Sequence, residues 1–147
     1  MKNNDEPVIV EQIFNASIGK VWDAITKLDQ MKKWFFENIA SFRPEVGFET
    51  RFDVQNEDRK FPHIWKLTEV IPMKRITYNW KYGGYPGDLF VTFELFKKDH
   101  HTKLKLTHKI VESFPQDIPE FERESCIEGW NYFIRKNLKK YLEESVN

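Results

Sequence analysis

Apolar residues recur in two rhythms along this chain. Between Gly47 and His108 they alternate with polar ones, and after Asp117 they return every three or four residues. Alternation puts successive side chains on opposite faces of a strand. Phe48, Thr50, Phe52 and Val54 form one such row, with Glu49, Arg51 and Asp53 opposite. Phe61, His63, Trp65, Leu67 and Glu69 form the next. Ile76, Tyr78, Trp80 and Tyr82, then Leu89, Val91, Phe93 and Leu95, then Leu104, Leu106 and His108 supply three more rows. Turn signals separate them: Pro44 and Gly47, the charged tip Gln55 to Lys60, Pro72 to Lys74, the Gly83-Gly84-Tyr85-Pro86-Gly87 loop and the polar turn Lys97 to Thr102. With connections this short, each strand is predicted to lie beside its sequence neighbour in an antiparallel meander.

The second rhythm predicts a long amphipathic helix from Asp117 to about Glu144. Asp117 with Glu120 three residues on resembles a capping box, and Pro119 sits in the first turn, where its missing N–H is harmless. Cys126, Ile127, Trp130, Phe133, Ile134, Leu138, Tyr141 and Leu142 share one face, opposite Glu128, Arg135, Lys136 and Lys139. Gly129 lies at the edge of the stripe, where a missing side chain allows close approach of another backbone. At 1.5 Å per residue the helix is roughly 40 Å long, and among the predicted elements it alone is long enough to cover a sheet. Upstream, Val8 to Phe14 reads as a first strand. Asn15 and Ser17 open a helix carrying Ile18, Val21, Trp22, Ile25 and Leu28, and Asp29 caps a further short turn ending in Trp34-Phe35-Phe36. Six strands with helices at both ends describe an α+β fold, and residues 1–147 read as a single domain.

Composition narrows the function. Lys plus Arg and Asp plus Glu both number 23, so the net charge is zero and nothing points to nucleic acid or an anionic membrane as the main partner. Aromatic residues make up 16% of the chain, with thirteen Phe, five Trp and five Tyr, enough to fill a core and also to line a cavity for apolar ligands. The single cysteine, Cys126, lies in the helical stripe and reads as a small buried hydrophobe. No apolar run approaches a membrane span and the first ten residues, which carry Asp5 and Glu6, do not form a signal peptide, so a cytoplasmic protein without membrane insertion is expected. The Gly-rich loop has neither the phosphate-binding pattern nor a following helix, so it reads as a rim loop. Asp99, His100 and His101 sit on a tight turn that points adjacent histidines apart, so no metal site is expected. No cofactor, cysteine nucleophile or serine elbow is legible either.

Several stretches carry a family resemblance. They are Val21-Trp22-Asp23-Ala24-Ile25-Thr26, Trp34-Phe35, the run Trp65 to Pro72 continuing through Lys74 to Trp80, Val91 to Leu95, Thr102 to His108 and Gly129-Trp130. In this order they resemble the START-like (SRPBCC) helix-grip fold of the birch-pollen allergen and polyketide cyclases. More narrowly, the chain is similar to the family named after the activator of the ninety-kilodalton heat-shock protein's ATPase. Two departures stand out: Ile18-Gly19 replaces the family's usual proline after the first helix cap, and Lys109-Ile110-Val111-Glu112 replaces a glycine-containing turn. The resemblance implies a curved antiparallel six-stranded sheet wrapped around the terminal helix, two short helices after the first strand, and a cavity between sheet and helix.

Strand parity then nominates the lining. Phe48, Phe52, Trp65, Tyr78, Trp80, Phe93 and Leu106 face the helix, while Trp130, Phe133 and Ile134 face the sheet. Trp34, with its aromatic neighbours, suits a lid or an interface. His63, Glu69 and His108 share faces with the aromatics, and Arg123 and Asn137 fall inside the helical stripe. These five are the polar candidates for orienting a ligand, against the plainer reading that they are satisfied core or rim groups. The leading expectation is a binding protein for a hydrophobic or amphipathic small molecule. A cyclase- or hydrolase-like enzyme using Glu69 and His108 as a general-base pair is the alternative. A co-chaperone-like interaction module is the third; the family's co-chaperones carry a preceding domain, for which this chain is expected to have no room. A monomer or a homodimer is compatible with all three.

Overall fold

Alternating residues build the sheet as expected, in strands whose inward side chains are aromatic or aliphatic. The computed structural model describes residues 1–144. Its elements run β1 (Val8–Phe14), α1 (Ile18–Thr26), α2 (Leu28–Trp34), β2 (Glu49–Asn56), β3 (Arg59–Ile71), β4 (Arg75–Tyr82), β5 (Asp88–Lys98) and β6 (His101–Glu112). A 3₁₀ turn at Pro119–Phe121 follows. The terminal helix is then assembled from α3 (Arg123–Trp130), a π-helical stretch (Asn131–Leu138) and α4 (Lys139–Glu144).

Strands β2 to β6 form the predicted meander, but β1 does not lie beside β2. It pairs antiparallel with β6, Val8 opposite His108 and Phe14 opposite Thr102, giving the order β1-β6-β5-β4-β3-β2. The helices between β1 and β2 free the chain from the short-connection rule and carry it to the opposite sheet edge. Ser17 caps α1 by accepting from the Lys20 amide. In α2 the cap is Lys27 rather than Asp29, which falls in the first turn. Trp34 ends α2 and donates its Nε1–H to the Ala24 carbonyl at 2.8 Å, fixing one helix to the other.

The terminal helix starts later than its sequence suggests. Glu122 occupies the cap position without a side-chain bond, and Asp117 lies outside the helix. Burial of Phe121 among Phe61, Tyr82, Tyr85 and Phe114 holds the preceding residues in a separate turn. Glu120 reaches to the β2–β3 hairpin instead of closing a capping box, accepting from Arg59 Nε and Asn56 Nδ2 at 2.8 Å each. The helix is therefore nearer 30 Å long.

Its buried residues Trp130, Ile134, Leu138 and Leu142 recur every four positions. In an α-helix each four-residue step overshoots a full turn by about 40°, so this stripe would spiral off the sheet. The wider π turn holds more residues and rotates the chain back. The inner sheet face is not covered by this helix alone. Phe35, just after α2, lies at the centre of the packing, with its ring 4.7 Å from Trp34, 5.3 Å from Trp65, 5.8 Å from Trp130 and 4.9 Å from Phe133.

Candidate functional site

Between the inner sheet face and α3 the structure leaves a cavity of about 130 Å³. His63 on β3, Trp80 and Tyr82 on β4 and His108 on β6 form its sheet wall; Cys126, Gly129 and Trp130 on α3, with Phe133, form its helix wall. Phe36 stands between the layers, 4.9 Å from Phe133 and 5.0 Å from His63. Partly exposed Glu120 and Ser125 mark the rim.

The two histidines are buried and held in opposite tautomers. Trp130 Nε1–H donates to His108 Nδ1 at 3.0 Å; because an indole nitrogen only donates, Nδ1 must accept and the proton sits on Nε2. That Nε2–H is enclosed and has no hydrogen-bond partner among the described residues. His63 is arranged the other way. Its Nδ1 lies 2.9 Å from the Phe61 carbonyl, which only accepts, so Nδ1 carries the proton and Nε2 keeps its lone pair. Burial lowers the pKa of both rings to about 4; the nearby positive charge of Arg123 adds to the effect at His108, while the Phe61 bond partly offsets it at His63. Both are neutral at pH 7. Burial likewise pushes the Cys126 thiol up to about 12 and raises Tyr82 above the usual phenol range.

The cavity brings together His63, Trp80, His108, Trp130 and Phe133 of the residues nominated by parity. Trp34, Phe52, Trp65, Tyr78, Phe93, Leu106 and Ile134 are buried in the packed core instead, outside the cavity lining. Large rings facing one another fill space that parity alone treats as open. Phe48 is half-buried against Phe42 and beneath Arg43, away from the cavity.

Glu69 is misplaced by parity. In β3, Leu67 pairs with Tyr78 but Glu69 pairs with Thr77, so Thr68 is an extra residue and the faces exchange beyond it. Glu69 emerges on the outer face, 43% exposed, with Arg75 Nε at 2.8 Å. It cannot form a general-base pair with His108 across the sheet. Arg123 donates to the Glu6 and Pro7 carbonyls ahead of β1, and Asn137 Nδ2 donates to the Trp34 carbonyl at 3.3 Å, so both secure backbone outside the cavity.

Sequence reading missed Phe36, Tyr82, Glu120, Ser125, Cys126 and Gly129 as lining residues. Tyr82 was legible as the last member of its alternating row, and Cys126 as the residue four before Trp130. Gly129 corrects its expectation: an added Cβ would meet nothing within 4 Å, so open space rather than a neighbouring backbone lies beside it. A larger hollow of about 550 Å³, between Ile18, the β3–β4 turn and the end of β5, is an open surface groove remote from both histidines.

Residues 15–143 match the family described as activator of Hsp90 ATPase homolog 1-like protein. The chain belongs to that family. Similar solved structures include protein CV1439 from Chromobacterium violaceum, at 20% identity and a TM-score of 0.78 over 93% of this chain and 96% of that one. The Aha1 dimer from Colwellia psychrerythraea gives 24% identity and a TM-score of 0.71 over 97% and 100%. CalU16 from Micromonospora echinospora gives 20% identity and a TM-score of 0.68 over 96% and 76%. At these identities the likeness concerns the helix-grip fold. No curated protein matches the chain by sequence.

Proposed function

We propose that this protein binds a small, largely apolar molecule between its sheet and α3. The observation that carries the reading is Gly129. A glycine inside a helix costs about 1 kcal/mol relative to alanine, yet an alanine methyl would fit here without meeting any neighbour within 4 Å. The glycine leaves an aromatic-walled space open beside α3. At about 130 Å³ that space falls below the 300–1,000 Å³ of sites for drug-sized ligands. It is close to the ~150 Å³ engineered cavity that takes up benzene. The occupant is thus one ring, or the ring end of a longer molecule leaving past Glu120 and Ser125. A cytoplasmic setting suits the unpaired Cys126 thiol at the wall.

Titration with toluene, followed through the indole N–H resonances of Trp80 and Trp130, tests the reading. Saturable shifts are expected in the unmodified protein, and Gly129→Leu, which fills the space, should abolish them while keeping the fold. Absence of shifts in the unmodified protein, or shifts unchanged in Gly129→Leu, would remove the cavity as the binding site.

A further inference from the structure

Resting on that reading, the geometry points to a ligand that carries two different polar groups on its ring, a carbonyl acceptor and a separate hydroxyl donor. His108 and His63 border one cavity and are held in opposite tautomers. The Trp130 indole occupies His108 Nδ1, which leaves an Nε2–H that only a hydrogen-bond acceptor satisfies. The Phe61 carbonyl occupies the His63 Nδ1–H, which leaves a lone pair at Nε2 that only a donor satisfies. Neither ring reverses its role cheaply. A tautomer change at His108 would set two N–H groups against each other, and one at His63 would set a lone pair against a carbonyl oxygen. A purely apolar occupant leaves the His108 Nε2–H buried and unpaired, a costly state for a polar group. A carboxylate brings acceptors only and must give up its water beside aromatic walls. A ring bearing a ketone or aldehyde and a hydroxyl answers both nitrogens and remains neutral.

Five compounds of matched shape test this: cumene, acetophenone, 4-isopropylphenol, 3-hydroxyacetophenone and 4-hydroxyacetophenone. In each pair the isopropyl group replaces the acetyl group with little change of volume. Dissociation constants for the unmodified protein are expected to fall about three- to tenfold on adding the carbonyl and again on adding the hydroxyl. The carbonyl gain should vanish in His108→Phe and the hydroxyl gain in His63→Phe, with thermal melts verifying that both variants fold. If cumene binds as tightly as either hydroxyacetophenone isomer, the polar assignment is overturned while the apolar cavity stands. Failure of all the compounds to bind would overturn both. The series on the unmodified protein decides the question even where a variant does not fold.

Discussion

Trp130 and His108 join the terminal helix to β6 through a single buried bond, indole Nε1–H to imidazole Nδ1 at 3.0 Å. The bond fastens the helix to the sheet beside the cavity, and it selects the His108 tautomer that carries its proton on Nε2. The fastening and the proposed recognition therefore both depend on Nδ1.

Trp130→Phe keeps most of the apolar contact and removes the donor. Stranding a buried acceptor costs about 1–3 kcal/mol, to which lost packing adds. Urea denaturation should show that loss, and long-range ¹⁵N–¹H spectra should show the His108 proton no longer confined to Nε2. An unchanged His108 spectrum would refute the tautomer assignment.

Acid should destabilise the protein through the two histidines. Their folded pKa of about 4 lies below the unfolded value of 6.5, so the unfolded chain binds more protons between these pH values. Their contribution is complete above about pH 6.5 and declines as the pH falls towards 4, by on the order of 3 kcal/mol per histidine. Denaturation at pH 7.5, 6 and 5 should show the decline, and His63→Phe should flatten it.

Glu69→Ala should leave toluene binding unaltered. The carboxylate lies on the outer face in an exposed pair with Arg75, and exposed pairs contribute about 0–1 kcal/mol. A calorimetric titration showing a change in affinity of tenfold or more would contradict the bulge at Thr68 as the reason for its placement.

Cys126 should resist alkylation despite bordering the cavity. With its pKa pushed up to about 12 against an ordinary value near 8.5, its thiolate is scarce at pH 8, and iodoacetamide should react about 10³-fold more slowly than with an exposed cysteine. Timed alkylation followed by mass spectrometry reads this directly. Rapid modification of the folded protein would show that the thiol is less desolvated than its surroundings imply.

Much of the architecture was legible in local rhythm. Alternation placed β2 to β6, the Ser17 cap marked α1, and the three- and four-residue stripe announced the terminal helix, because each pattern follows from backbone geometry repeated residue by residue. It also placed His63, Trp80 and His108 on one inner face and Trp130 and Phe133 on the helix opposite. Tertiary structure decided the rest. One extra residue at Thr68 turned Glu69 outward, the helices after β1 sent that strand to β6, and Phe121 displaced the helix start to Arg123. Mutual filling by Phe35, Trp65 and Trp130 left only a small cavity. The His108 tautomer was settled the same way, by an indole 22 residues away along the chain, whereas that of His63 rests on the carbonyl of Phe61, two residues before it. Periodicity is a property of neighbours in sequence; register, void volume and the partner of a buried nitrogen depend on which distant residues meet, and only the folded chain makes that choice.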